Sequence, residues 1–136
     1  MTDFLSPVRR SEVMRRVGPK DTAPEIAVRK VLFARGYRYR LHRADLPGKP
    51  DLAFPGRRKV IFVHGCFWHQ HPGCPKASVP ATRTDWWRAK LERTVVRDRE
   101  NRSALEAMGW EVAVAWECET RKMNDLAPRL AAFLDQ

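Results

Sequence analysis

Apolar and polar positions along this chain alternate between a helical period and a period of two. Thr22-Ala23-Pro24-Glu25 has capping-box spacing with proline in the first turn, and Ile26, Val28, Val31 and Leu32 continue one apolar face until Gly36. That pattern predicts a first helix. Tyr37 to His42 alternates ring and aliphatic groups with arginine and predicts a strand with a basic face; Leu46 to Pro50 is a turn. Asp51 to Phe54 predicts a second strand, Pro55 to Arg58 a hairpin turn, and Lys59 to His64 a third strand, apolar from Val60 to Val63 as a buried strand is.

Thr84 or Asp85 can cap a long helix running to about Met108 and closed by Gly109. Its stripe of Trp87, Leu91, Val95, Leu105 and Met108 is interrupted by Asp98 and Arg102. Those two are spaced to pair with each other, or else the helix bends there. Glu111 to Trp116 predicts a fourth strand, ending at Cys118, and Leu126 to Leu134 a last helix. The order α, three strands, α, strand, α describes an α/β domain with one mixed central sheet flanked by helices. Residues 21–136 form that single domain, preceded by a basic arm or short helix over residues 1–20.

Composition narrows the partner. With 136 residues, 43% of them hydrophobic, the chain is large enough for one core and too short for two. It has no apolar run of membrane-spanning length, and its polar, basic start does not read as a signal peptide, so a cytoplasmic location with no membrane partner is expected. Formal charge is +10, and residues 1–43 carry eleven Lys/Arg against four Asp/Glu, which is +7 of it. Such a field is suited to displacing counterions from nucleic-acid phosphates; its alternative is a solvated basic surface.

The densest chemistry follows the third strand, where residues 64–74 (HGCFWHQHPGC) hold three histidines, two cysteines and two large aromatics. The chain's three cysteines cannot all pair as disulfides. Cys66, His71 and Cys74 with the distant Cys118 make a Cys3His set of the kind that closes tetrahedrally around structural zinc; buried cysteines beside a surface histidine are the alternative.

Pro50-Asp51 followed by a hairpin to His64 is similar to the arrangement in which many nucleases hold a metal, an aspartate on one strand and Glu-x-Lys on the next. Here the tripeptide is Phe62-Val63-His64, so the second carboxylate is missing and histidine replaces lysine. Mg2+ could still be held by Asp51, the Val63 main-chain carbonyl, waters and substrate phosphate. His64 and His69 can handle protons near neutral pH, one activating water and one steadying the phosphate. Glu25 either supports a histidine or a metal-bound water, or is simply the capping-box partner of Thr22; Asp51 has its own alternative as a strand cap. Phe67-Trp68 and Trp86-Trp87 are costly to expose without a use, and core packing accounts for one of each pair rather than all four; apolar groups of this kind can wedge into a DNA stack.

These residues resemble the very short patch repair (Vsr) endonucleases over nearly the whole chain. The matching segments include Met14-Arg15, Asp21 to Glu25, Leu46 to Asp51, Val63 to His69, His71 to Cys74, Pro80 to Thr84, Arg97-Asp98 and Gly109-Trp110 through Trp116-Glu117-Cys118. The resemblance implies a restriction-endonuclease-like (PD-(D/E)XK-related) fold with a structural zinc site. It further implies a Mg2+-dependent, strand-specific nick 5′ of the thymine in a T:G mismatch, the lesion left by deamination of 5-methylcytosine, leaving 3′-hydroxyl and 5′-phosphate ends. Carried over, Asp51 and the Val63 carbonyl hold Mg2+, His64 and His69 are catalytic with Glu25 as helper, and Cys66, His71, Cys74 and Cys118 hold Zn2+. Phe67, Trp68 and Trp87 match the wedge, Met14 and Arg15 the minor-groove arm, and Lys90 a base-contacting position. Thr94 stands where the family often has asparagine, which alters the flanking context read. The implied setting is a monomer on double-stranded DNA, nucleoid-associated when bound, working with the mismatch-repair protein MutL and a repair DNA polymerase. The alternatives are a nicking endonuclease of relaxed mismatch or context specificity, and a non-catalytic module for distorted DNA.

Overall fold

The computed structural model describes residues 21–136. Period-two alternation in its central strands sorts side chains into two cores. The elements are α1 (Ala23–Ala34), β1 (Arg40–Leu41), β2 (Leu52–Phe54), β3 (Lys59–His64), α2 (Thr84–Ala107), β4 (Glu111–Trp116) and α3 (Met123–Asp135). The sheet order is β1-β2-β3-β4, antiparallel for the first two pairings and parallel between β3 and β4, with α2 as the crossover. The expected mixed sheet and element order are therefore observed.

Leu52, Phe54, Ile61, Val63 and Ala115 face one core, closed by Val28 and Leu32 of α1 and by Leu126, Leu130 and Leu134 of α3. Ala53, Val60, Phe62 and Val112 face the other, closed by Leu105 of α2 with Leu46 and Trp110. All six residues of β3 are buried, which explains why its apolar run shows no alternation: helices cover both faces. Lys59, at its start, is 2% exposed, and its ammonium donates to the carbonyls of Phe133 (2.5 Å) and Gln136 (3.3 Å) at the end of α3, where the helix dipole favours a cation.

Three expectations change. The first strand shrinks to Arg40–Leu41, because Tyr37 turns inward to donate its hydroxyl to Asp135 (2.8 Å) and His42 leaves extended backbone at φ +48. Neither Thr84 nor Asp85 caps α2. Arg83 occupies that position at φ +56 with no side-chain bond, and the Thr84 hydroxyl donates back to the Pro80 and Ala81 carbonyls at 2.9 Å each. Asp98 and Arg102 do not pair with each other: Arg102 reaches Glu106 (3.5 Å) and the Val112 carbonyl (3.2 Å), while Asp98 goes elsewhere. The α2 stripe is correspondingly thin, with Leu91 and Leu105 buried and Met108 exposed. Among the described residues no helix is long and apolar enough to cross a membrane.

Candidate functional site

Strand parity and register build the site. His64 ends β3 on the same face as Val60 and Phe62, and Asp51 immediately precedes β2, which runs antiparallel beside it. The Asp51 carboxylate accepts from the Val63 amide at 2.7 Å. The two adjacent segments thus bring Asp51 and His64 together beside the Val63 main chain, while the Val63 side chain turns to the opposite core; that Asp51 and His64 neighbour each other is what the sequence predicts. Gly48 shapes the approach: its φ is +77, and a Cβ there would meet the Asn101 side chain of α2 at 3.0 Å. Only glycine seats the 46–50 turn this close to the helix.

The segment after β3 folds back over that position by local turns, with the His69 amide donating to the Gly65 carbonyl (3.1 Å) and the His71 amide to that of Cys66 (2.9 Å). The His69 ring thereby stacks on His64 with centroids 3.8 Å apart and planes within 6°. His69 Nδ1 lies 2.6 Å from a carboxylate oxygen of Asp98 on α2. Asp98 is the site residue that sequence reasoning missed. Its signal was there, a lone carboxylate inside an apolar helical stripe, but pairing within the helix was the only partner visible without the fold.

Electrostatics follow from burial. Burial pushes the Asp51 carboxyl up from its ordinary 3.8 to about 7, with Glu25 adding to the rise and the Val63 amide opposing it. Burial also pushes His64 down to about 4, helped by the charge of His69. Asp51 is thus a carboxylate short of positive charge, and His64 a neutral imidazole at physiological pH. Val63, His64 and His69 line two adjoining hollows of about 270 and 690 Å³. The smaller adds Asp51 and Asp98; the larger adds Glu25, Phe67 and Trp68.

Glu25 takes its expected helix-cap placement in part and lies at the edge of the hollow. Its amide donates to the Thr22 hydroxyl (3.4 Å), while its carboxylate accepts from the Asp21 amide (2.9 Å), rather than that of Thr22, and pairs with Arg29 (3.2 Å). It is 2% exposed at the edge of the larger hollow.

Cys66, His71, Cys74 and Cys118 converge, with one donor atom from each lying within 4.8 Å of all the others. His71 Nδ1 is 3.7 Å from Cys66 Sγ and 3.4 Å from Cys118 Sγ. Tetrahedral Zn–S and Zn–N bonds place such atoms about 3.5 Å apart, so the donor set fits that ion. Burial pushes the Cys66 thiol up to about 11, so an ion would displace the proton of this thiol to enter.

The aromatic pairs split as expected. Phe67 and Trp87 are half-buried, whereas Trp68 is 49% and Trp86 45% exposed. Trp87 backs the group, 5.5 Å from Phe67, 5.9 Å from Trp68 and 4.9 Å from Trp86. The Lys90 ammonium lies over Trp86 at 5.2 Å and Trp68 at 5.9 Å. Thr94, one turn on, donates its hydroxyl back to the Lys90 carbonyl at 3.4 Å. Trp86 is thus an outer surface of the group beyond the three wedge residues expected from sequence. Met14 and Arg15 lie outside the described residues.

Comparison with known proteins agrees. The family model described as DNA mismatch endonuclease Vsr matches residues 2–76. The chain is 53% identical over 135 residues, 99% of its length and 98% of the relative's, to the type II nicking enzyme V.XorIIP of Xanthomonas oryzae pv. oryzae. It is 43% identical over 126 residues to the DNA mismatch endonuclease Vsr of Escherichia coli K12, covering 93% of this chain and 80% of that one. A third relative, the type II nicking enzyme V.NmeAIP of Neisseria meningitidis, is 42% identical over 130 residues, covering 96% and 92%.

Proposed function

Because the chain belongs to the Vsr family of DNA mismatch endonucleases, we propose that it nicks one strand of duplex DNA 5′ of the thymine in a T:G mismatch. The observation that carries the reading is the convergence of a half-buried Asp51 with the stacked pair His64 and His69, the latter anchored to Asp98, beside an exposed aromatic group. A module that only recognised distorted DNA would have no use for that convergence.

Two metals complete the proposal. Zinc would be held by Cys66, His71, Cys74 and Cys118 and would fix the loop that carries His69, Phe67 and Trp68. Mg2+ would be held by Asp51 with the Val63 carbonyl and the substrate phosphate; the charge-deficient carboxylate of Asp51 supports this assignment. When bound, Mg2+ supplies neutralising charge for the phosphodiester and its developing transition state.

The protein's own groups do the rest. With Nδ1–H donated to Asp98, His69 keeps Nε2 free to take a proton from the attacking water. The water oxygen bonds to phosphorus, the P–O3′ bond breaks, and the 3′ oxygen leaves as a hydroxyl, taking its proton from a solvent water. His64, neutral and beneath His69, donates a hydrogen bond to a phosphate oxygen. Phe67, Trp68 and Trp87 enter the stack at the mismatch, where unstacking costs a few kcal/mol and least at an already weakened pair. Synthesis from the new 3′ end falls to a repair DNA polymerase.

The test is incubation with Mg2+ and end-labelled duplexes carrying one T:G mismatch in several contexts, beside matched C:G controls. A single Mg2+-dependent nick 5′ of the mismatched T is expected. Binding without a cut throughout would leave only the recognition role.

A further inference from the structure

The cysteine-histidine cluster and the histidine pair are joined by one side chain that neither needs for its own chemistry. Trp116 is the last residue of β4 and sits in parallel register with His64, so the two side chains lie side by side on adjacent strands. Its indole stacks on His71 at 4.2 Å with planes within 10°. The same indole meets the His64 ring edge-to-face at 5.3 Å and 71°. His64 in turn stacks on His69 at 3.8 Å, and His69 ends on Asp98. A continuous column of rings therefore runs from His71 through Trp116, His64 and His69 to α2.

The end of β4 is fastened on both sides of this contact. The Trp116 amide donates to a carboxylate oxygen of Glu119 at 2.9 Å, and Glu117 accepts from the Cys66 amide at 3.3 Å. Two residues after Trp116, Cys118 supplies its sulfur to the cluster and its amide to Cys66 Sγ at 3.4 Å. The indole cannot tilt without disturbing either the ring of His71 or that of His64. His64 itself has no hydrogen bond of its own among the described contacts to fix its ring, whereas His69 has Asp98. Ring packing is what sets its orientation.

We propose that Trp116 is a positioning residue for hydrolysis: it transmits the fixed orientation of His71 to His64 and, through the stack, to His69. The inference rests on the function proposed above. It makes the metal cluster more than a support for the loop, because the cluster then sets the angle at which the histidine pair meets the scissile phosphate. A shift of about 1 Å at a reacting group costs on the order of 100-fold, and loss of an orienting partner on the order of 10- to 100-fold.

Two variants test it, Trp116→Leu, which removes the ring, and Trp116→Phe, whose smaller ring can touch His71 or His64 but cannot span both. Each is compared with the wild-type chain for zinc content, affinity for the T:G duplex, single-turnover nicking, and the rate at which diethyl pyrocarbonate modifies each histidine, read by mass spectrometry. Expected are one zinc per chain and unchanged affinity in both variants, with nicking reduced about 10- to 100-fold in the Leu variant and by less in the Phe variant. His64 and His69 should be modified several-fold faster, with His71 still protected. Wild-type nicking and unchanged histidine protection in either folded variant would overturn the proposal, as would loss of zinc in step with rate. A Leu variant that does not fold leaves the decision to Phe on the same criteria. Should the wild-type chain cut no duplex, the proposed function fails, and the histidine protection still decides the role of Trp116.

Discussion

The Cys66-His71-Cys74-Cys118 cluster and the Asp51-His64-His69-Asp98 cluster both touch Trp116, through His71 and His64, and are built on opposite plans. The first brings four donors to one point with tetrahedral spacing. The second offers one half-buried carboxylate and two rings, with its other carboxylate committed to His69. A closed donor set suits structure, and an open one leaves positions for substrate. Under the proposed function, folding and chemistry fall mainly to neighbouring sites that single substitutions should separate.

The largest separation is expected between Asp51→Ala and Cys118→Ala. Asp51→Ala should reduce nicking by roughly a thousandfold or more while leaving zinc content and DNA affinity intact. Cys118→Ala should lose zinc and lower the melting temperature by on the order of 10 °C, with nicking falling as folded protein is lost and as the histidine pair loses its orientation. Metal analysis, thermal unfolding and single-turnover nicking on both variants check this; equal destabilisation by the two would collapse the distinction. Next in size is Asp98→Asn, which keeps a hydrogen bond to His69 but not the charge that favours the Nδ1–H tautomer. Nicking should fall on the order of 100-fold with zinc and melting temperature unchanged.

A pH dependence sharpens the comparison from the open side. Burial raises Asp51 from 3.8 to about 7, so the folded chain holds this proton more tightly than the unfolded one. Its contribution to stability is full below about pH 4 and is lost as pH rises to about 7. His64, pushed down from 6.5 to about 4, works the other way: its contribution is full above about 6.5 and is lost as pH falls through about 4. Asp51→Asn isolates the first effect while keeping an acceptor for the Val63 amide. In metal-free protein it should match wild type near pH 4 and exceed it by roughly 1–3 kcal/mol at pH 7.5. Urea unfolding at the two pH values measures the difference, and Mg2+ should narrow it.

Legibility from sequence follows the same division. Elements with a strong period were readable: β3 and β4 fall at their expected bounds, and Thr22 caps α1. The donors Cys66, His71, Cys74 and Cys118 were readable by residue type, because few groupings of sulfur and imidazole serve another purpose. What the sequence hid was set by tertiary contacts. Asp98 read as a partner for Arg102 because a helix shows its i, i+4 neighbours and nothing else, yet it belongs to His69, twenty-nine positions earlier. Arg83 caps α2 through a left-handed backbone rather than a side chain, which no residue preference announces. The role of Trp116 was equally hidden, since its contacts with His71 and His64 arise from strand register.

The smallest expected effect lies outside both clusters. Thr94 sits on α2 one turn beyond Lys90, whose ammonium is held over the rings of Trp86 and Trp68, so this stretch of helix borders the exposed aromatic group. Its hydroxyl is turned back to the Lys90 carbonyl, a local bond that leaves mainly the methyl to face a base. An asparagine there would offer a donor and an acceptor together, the pair that reads adenine or bridges neighbouring base edges. Thr94→Asn should therefore change the preference among flanking base pairs by about 10-fold at one position. The rate on the best substrate should hold within about threefold, because neither Asp51 nor the cysteine cluster is touched. Nicking rates across a panel of T:G duplexes varied at each flanking pair measure this. A uniform loss across the panel would mean that Thr94 acts on phosphate or on helix stability, and that context is read elsewhere on α2.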